Sequence, residues 1–126
     1  MRKRALVVDA QMGVRTLVGT VLQRDGFEVE LARNSNEGRR AGFKEFDLLV
    51  TAVDLDQQEG GIALAHVLRA YYPDLHIMYL TQRDAAIPPH PLDEGATILK
   101  EPFTIDQLRG AVVAAFNAAH QAKRGT

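Results

Sequence analysis

The sequence predicts a three-layer α/β sandwich built on a five-stranded parallel sheet. Two observations carry that prediction. Short β-rich apolar runs alternate with helical apolar spacing five times along the 126 residues, and parallel strands require crossover helices of that kind. The second is the stretch 46–61, FDLLVTAVDLDQQEGG, where Leu48, Leu49, Val50, Ala52 and Val53 form the run of a strand buried on both faces. The run turns acidic at Asp54, Asp56 and Glu59 and closes on Gly60-Gly61 before a helical pattern. Functional residues of open parallel sheets collect past the carboxyl ends of strands, so a functional loop is expected near residues 52–61.

Taken in order, residues 5–8 form a first strand that ends on Asp9. Val14, Leu17, Val18, Val21 and Leu22 then recur at helical spacing to about Arg24, and Asp25-Gly26 stops the helix with Gly26 at a left-handed cap. Phe27, Val29 and Leu31 alternate with Glu28 and Glu30, the pattern of a half-buried strand. Asn34 with Glu37 starts a short second helix through Phe43, weakened by Gly38 and Gly42. Beyond the central strand, Ile62, Leu64, Ala65 and Leu68 mark a third helix that Pro73 ends. Residues 77–80 make the fourth strand, followed by Thr81. Pro88, Pro89 and Pro91 keep any helix between Gln82 and Gly95 short or broken. Residues 97–99 make the fifth strand. Thr104 with Gln107 caps a last helix whose stripe is Leu108, Ala111, Val112, Ala115, Phe116 and Ala119. A polar tail, expected to fray from about 121, follows.

Composition narrows the function. Fifteen basic and sixteen acidic residues leave a net charge of −1, which gives no electrostatic footprint for nucleic acid. Arg2, Lys3 and Arg4 precede an apolar run too short for a signal peptide or a membrane span, so a cytoplasmic protein is expected. There is no cysteine, which excludes disulfides, Cys-based zinc sites and thiol catalysis. His66, His76, His90 and His120 show no metal-ligand spacing.

The predicted sheet brings Asp9, residues 52–54, Thr81 and Lys100 to neighbouring strand ends. Carboxylates, a hydroxyl and an ammonium around one crevice suit a divalent cation and a phosphoryl group. With ALVVDA at 5–10, DLLVTAVDL at 47–55, YLT at 79–81 and LKEPFT at 99–104, the chain resembles the CheY-like receiver domains of two-component response regulators. The resemblance covers nearly the whole chain. It implies a flavodoxin-like fold of strand order 2-1-3-4-5 and a single receiver-like domain over 1–126. It also implies phosphoryl transfer from a sensor histidine kinase to an aspartate, assisted by an acidic pair, Mg²⁺, a switch Thr or Ser and a Lys.

The departures fall on the chemistry. The acidic pair becomes Asp9 and Ala10, and the phosphoacceptor position becomes Ala52, which has no nucleophile. Both changes weaken the expected Mg²⁺ site, for which Asp9 and Asp54 are the remaining candidate ligands. Thr81 matches the switch hydroxyl, its plainer reading being a β-former that ends a strand. Where the family has Lys-Pro this chain has Lys100-Glu101-Pro102, so either Lys100 is displaced by one residue or Glu101 takes the lysine position. Lys100 is otherwise expected to pair with Glu101 or Asp9, and Asp9 either caps the first helix or is the remnant of a cation site. Asp54 is the alternative acceptor, on the same side of an extended strand as Ala52. Its offset is about 6–7 Å, from roughly 3.3 Å per residue, enough to spoil in-line transfer.

The expected function is therefore a stand-alone receiver-like signalling module, not an enzyme, that binds a sensor histidine kinase or another signalling protein with impaired or absent Asp phosphorylation. Self-association is the further expectation, because the prolines fall in a region that receivers use to dimerise. The alternatives are a conventional phosphoacceptor using Asp54 and, more remotely, a small-ligand or flavin-binding protein. Against the latter, the loop Asp9-Ala10-Gln11-Met12-Gly13 sets a carboxylate where phosphate would sit.

Overall fold

A computed structural model of the protein describes the backbone of residues 3–42, 44–55, 60–82 and 95–124, with side chains to residue 117. The elements are β1 (Arg4–Val8), α1 (Met12–Arg24), β2 (Glu28–Ala32), α2 (Ser35–Ala41), β3 (Leu48–Ala52), α3 (Gly60–Tyr71), β4 (His76–Thr81), β5 (Thr97–Lys100) and α4 (Ile105–Arg124). The strands form one parallel sheet in the order β2-β1-β3-β4-β5, the order the resemblance implies for a flavodoxin-like fold. The expectation of a short or broken helix across Pro88, Pro89 and Pro91 lies outside the described residues, as do Phe43, Asp56, Glu59 and His90.

Strand side chains alternate between faces, and here both faces are apolar. Leu6, Val8, Leu49, Ile77 and Tyr79 pack with Ile62, Leu64, Ala65 and Leu68 of α3. On the other face Ala5, Val7, Leu48, Val50, Met78, Leu80 and Leu99 pack against Val18 and Leu22 of α1 and Leu108 of α4. That is the three-layer sandwich, and α1 and α4 lie side by side in one layer. Two residues expected in the apolar pattern are nearly half exposed, Leu17 at 41% and Leu31 at 47%. Leu31 sits on the edge strand β2, over Gly19 of α1.

Local chemistry fixes the ends of the elements. Gly26 adopts φ 99° just past α1, the left-handed conformation a helix stop asks of glycine. Thr104 and Gln107 cap α4 reciprocally: Thr104 Oγ1 accepts the Gln107 N–H at 3.0 Å, and Gln107 Oε1 accepts the Thr104 N–H at 2.9 Å. The box expected at α2 closes differently. Asn34 Oδ1 accepts the Glu37 N–H, but the Glu37 carboxylate turns to the backbone N–H and guanidinium of Arg33. That helix ends at Ala41 with Gly42 as its cap, short of Phe43. In contrast, α4 runs through Arg124, beyond the expected fray point at 121, because Ala, Gln, Lys and Arg in its last turns are strong helix formers.

At the amino-terminal end of the sheet the His76 ring stacks on Phe116 with centroids 3.9 Å apart, and its Nδ1 lies 3.2 Å from the Ala115 carbonyl oxygen. Lys3 Nζ lies over the same Phe116 ring, 4.1 Å from its centroid. The glycine pair opening α3 serves the opposite end. A Cβ on Gly61 would collide with the Ala52 carbonyl, and one on Gly60 with the Leu55 carbonyl, so only this pair lets α3 start against the end of β3. Gly61→Ala is expected to lower stability by about 1–3 kcal/mol through overpacking. Gly110→Ala, with open space around its Cβ in mid-helix, is expected to raise it by about 0.5–1 kcal/mol. Urea unfolding of the two variants beside the parent checks both signs.

Candidate functional site

The backbone ladder runs one residue past three of the strands. The N–H of Asp9 donates to the Ala32 carbonyl at 3.1 Å, that of Val53 to Leu80 at 2.9 Å, and that of Glu101 to Thr81 at 2.8 Å. The residues that follow β1, β3 and β5 are thereby held to the sheet, and strand alternation decides which way each side chain goes.

Asp9 shares parity with Ala5 and Val7 and is 5% exposed. One oxygen, Oδ1, accepts the Gln11 N–H at 2.8 Å, so the carboxylate closes the loop into α1, although Gln11 itself provides no side-chain cap. Arg15 Nη1 donates to the Asp9 carbonyl oxygen at 2.7 Å and reaches that of Ala10 at 3.5 Å. Burial pushes the Asp9 carboxyl above its ordinary value, opposed by the Gln11 N–H and the Arg15 charge.

Ala52 pairs with Leu80 at the end of β3 and offers a half-buried methyl group. Its neighbour Thr51 is fully buried and donates its hydroxyl to the Ala52 carbonyl at 3.1 Å. Asp54 is exposed between Val53 and Leu55, which are 5% and 0% exposed, so the two apolar side chains go inward and the acid stays in solvent. Thr81 donates its hydroxyl to the adjacent Gln82 carbonyl at 3.0 Å.

Alternation separates the two residues at the end of β5. Leu99 is in the core with α1 and α4, so Glu101 falls on its side, the side of Asp9 and Ala52, while Lys100 is exposed on the other parity. Burial raises the Glu101 carboxyl, and the charge of Asp9 raises it further. The expected Lys100 ion pair with Glu101 or Asp9 is corrected: Lys100 pairs with no described residue. Glu101 is followed by a cis peptide to Pro102.

Of the donors the resemblance implies for Mg²⁺, the rim brings Asp9 alone. Ala10 and Ala52 add methyl groups, Asp54 is in solvent, and the described residues contain no group of three acids or histidines placed to hold a metal. Arg15 escaped the sequence reading. Its signal was a lone cation in the first turns of a helix without an acid there, against the helix dipole.

The family described as response regulator receiver domain matches residues 5–113. Among solved structures, a response regulator receiver protein from Sinorhizobium medicae WSM419 is 24% identical with a TM-score of 0.77, covering 94% of this chain and 97% of that one. The chemotaxis response regulator CheY4 of Vibrio cholerae is 24% identical with a TM-score of 0.76, covering 91% and 99%. NtrX from Brucella abortus, in complex with ATP, is 19% identical with a TM-score of 0.79, covering 98% of this chain but 29% of NtrX. At these identities the likeness is one of fold. No curated protein matches the chain. Among the described residues no helix is long and apolar enough to cross a membrane.

Two raised carboxyls bind protons more tightly in the fold than in the unfolded chain. Their stabilisation is fully present below the unfolded value and is lost as pH rises through the folded one. The lowered Glu37 carboxyl, held by Arg33, works in the opposite sense but is fully exposed. Glu101→Gln is therefore expected to melt higher than the parent at pH 7, with the gap closing as pH falls toward 4. Melting curves across that range test it, and a gap that does not depend on pH would contradict the coupling to Asp9.

Proposed function

Because the chain belongs to the response regulator receiver family, we propose that it is a two-component signalling module that works by binding another protein rather than by accepting a phosphoryl group in the usual way. The observation that carries the reading is the end of β3, where Ala52 presents a methyl group in place of a nucleophile. Glu101 at the end of β5 supports it, since a carboxylate there repels an incoming phosphoryl group where a lysine would attract one. Receiver domains of two-component systems are signalling modules that interact with histidine kinases or other signalling proteins. For this chain the proposed unit is 1–126, acting in the cytoplasm on such a partner, without direct nucleic-acid contact, and self-associating as a homodimer. Mg²⁺ binding is proposed to be weak or lacking.

Intact-mass spectrometry after incubation with acetyl phosphate and Mg²⁺ is the test, with Asp54→Ala as control. The expected result is no gain in mass. A gain of one phosphoryl group that disappears in Asp54→Ala would instead establish Asp54 as a relocated acceptor. Ala52→Asp combined with Glu101→Lys is expected to take up phosphate better than Ala52→Asp alone, because both the nucleophile and the sign of the neighbouring charge are then changed.

A further inference from the structure

We infer that this chain self-associates through the open edge of β2, which pairs antiparallel with β2 of a second copy about a two-fold axis at Glu30. This rests on the self-association proposed above and names the surface that carries it.

The backbone ladder defines the edge. The Glu28 N–H donates to the Lys3 carbonyl at 2.9 Å, and the Ala32 carbonyl accepts the Asp9 N–H at 3.1 Å. Glu28, Glu30 and Ala32 therefore turn their backbone groups to β1, and the residues between and beside them turn theirs outward. Of the outward donors, the Phe27 N–H is taken by the Leu22 carbonyl at 3.0 Å, and the Arg33 N–H by Glu37 Oε1 at 3.0 Å. Val29 and Leu31 are left, each with an N–H and a C=O group that meet no described partner.

That stretch is self-complementary. A second copy centred on Glu30 sets its Leu31 opposite Val29 and its Val29 opposite Leu31. Each such pair exchanges both N–H···O bonds, so the two pairs satisfy every open group of Val29 and Leu31 in both copies. A register shifted by two residues brings Phe27 or Arg33 into a pair, and their N–H groups are already committed. Pairing of this kind is isologous and stops at two copies.

The side chains fit the same axis. Val29 and Leu31 share the face of β2 that looks toward α1, where Val29 packs on the core and Leu31 lies 47% exposed over Gly19. The axis lays each Leu31 beside the other copy's Val29, which covers apolar surface that the single chain leaves in water. On the opposite face Glu30 meets Glu30 of the second copy, a like-charge contact that is unfavourable unless cations share it. Lys44 is that cation. Its Nζ lies 3.4 Å from Glu30 Oε1, while Oε2 is shielded from solvent and meets no donor among the described residues. Opposed Cβ atoms in such a pair are about 4.5–5.5 Å apart, within the span of a lysine side chain. The second copy's Lys44 then supplies the donor that Oε2 lacks, and carboxylates and ammoniums alternate around the axis.

Sedimentation equilibrium and amide hydrogen exchange of the ¹⁵N-labelled chain test this together. A dimer and no larger species is expected. Exchange at Val29 and Leu31 is expected to slow as concentration rises, while Phe27 and Arg33 do not change. Leu31→Lys puts a cation on the edge and keeps the backbone N–H, and it is expected to weaken the dimer about tenfold. The exchange measurement uses the parent chain alone, so it decides the matter even if Leu31→Lys does not fold. A dimer whose Val29 and Leu31 exchange is independent of concentration, or one that folded Leu31→Lys leaves as tight, overturns the edge pairing while self-association stands. Species larger than a dimer overturn the two-fold axis. A chain that is monomeric at every concentration overturns both readings and leaves the edge to a strand of another protein.

Discussion

The rim of this protein depends on three backbone hydrogen bonds made just beyond the strands, from Asp9 to Ala32, Val53 to Leu80 and Glu101 to Thr81. They extend the sheet's two-residue periodicity into segments that would otherwise be free loops. Once the N–H of Glu101 is tied to Thr81 and Leu99 is packed under α4, the side chain of Glu101 has one face available to it. A single step in register exchanges the faces of an entire strand. Here the same rule acts on one junction, and in Lys100-Glu101-Pro102 it leaves the cation outside and brings the anion in.

The two apolar layers make that arrangement tolerable. β1 and β3 are buried on both faces between α1, α4 and α3, so the strand ends are held in place. The Gln11 N–H and the open end of α1 favour the Asp9 charge, since the start of a helix carries positive potential. Arg15 steadies the loop from the far side through its carbonyls. The close approach of Gly61 to the Ala52 carbonyl and of Gly60 to the Leu55 carbonyl seats the start of α3 at the end of β3.

The architecture was legible because the apolar period changes cleanly from two to three-and-a-half along the chain, and because Asn34, Thr104 and Gly26 mark helix ends by their own chemistry. The site was legible only in part. Ala10 and Ala52 declare themselves by what they lack. Glu101 was ambiguous because residues 97–99 are too few to reveal the phase of a strand, so its last inward residue cannot be counted forward with security. Leu17 and Leu31 look like core residues in any pattern, since apolarity does not say which strand ends up at an edge. Arg15 binds carbonyl oxygens, which every residue has, and no side-chain pattern points to such a partner.

The stacking of His76 on Phe116, with its Nδ1 at the Ala115 carbonyl, fastens α4 near the amino-terminal end of the sheet. Ten residues separate Ala115 from Ile105 at the rim, a span of about 15 Å at roughly 1.5 Å per residue. Between these points Leu108 is in the core, with Ala111 and Val112 packed on it, and the Arg109 guanidinium donates to both Asp25 oxygens. The helix is thus tied down along its length from the rim to the aromatic contact, and its amino-terminal half moves only if the layer it shares with α1 moves with it.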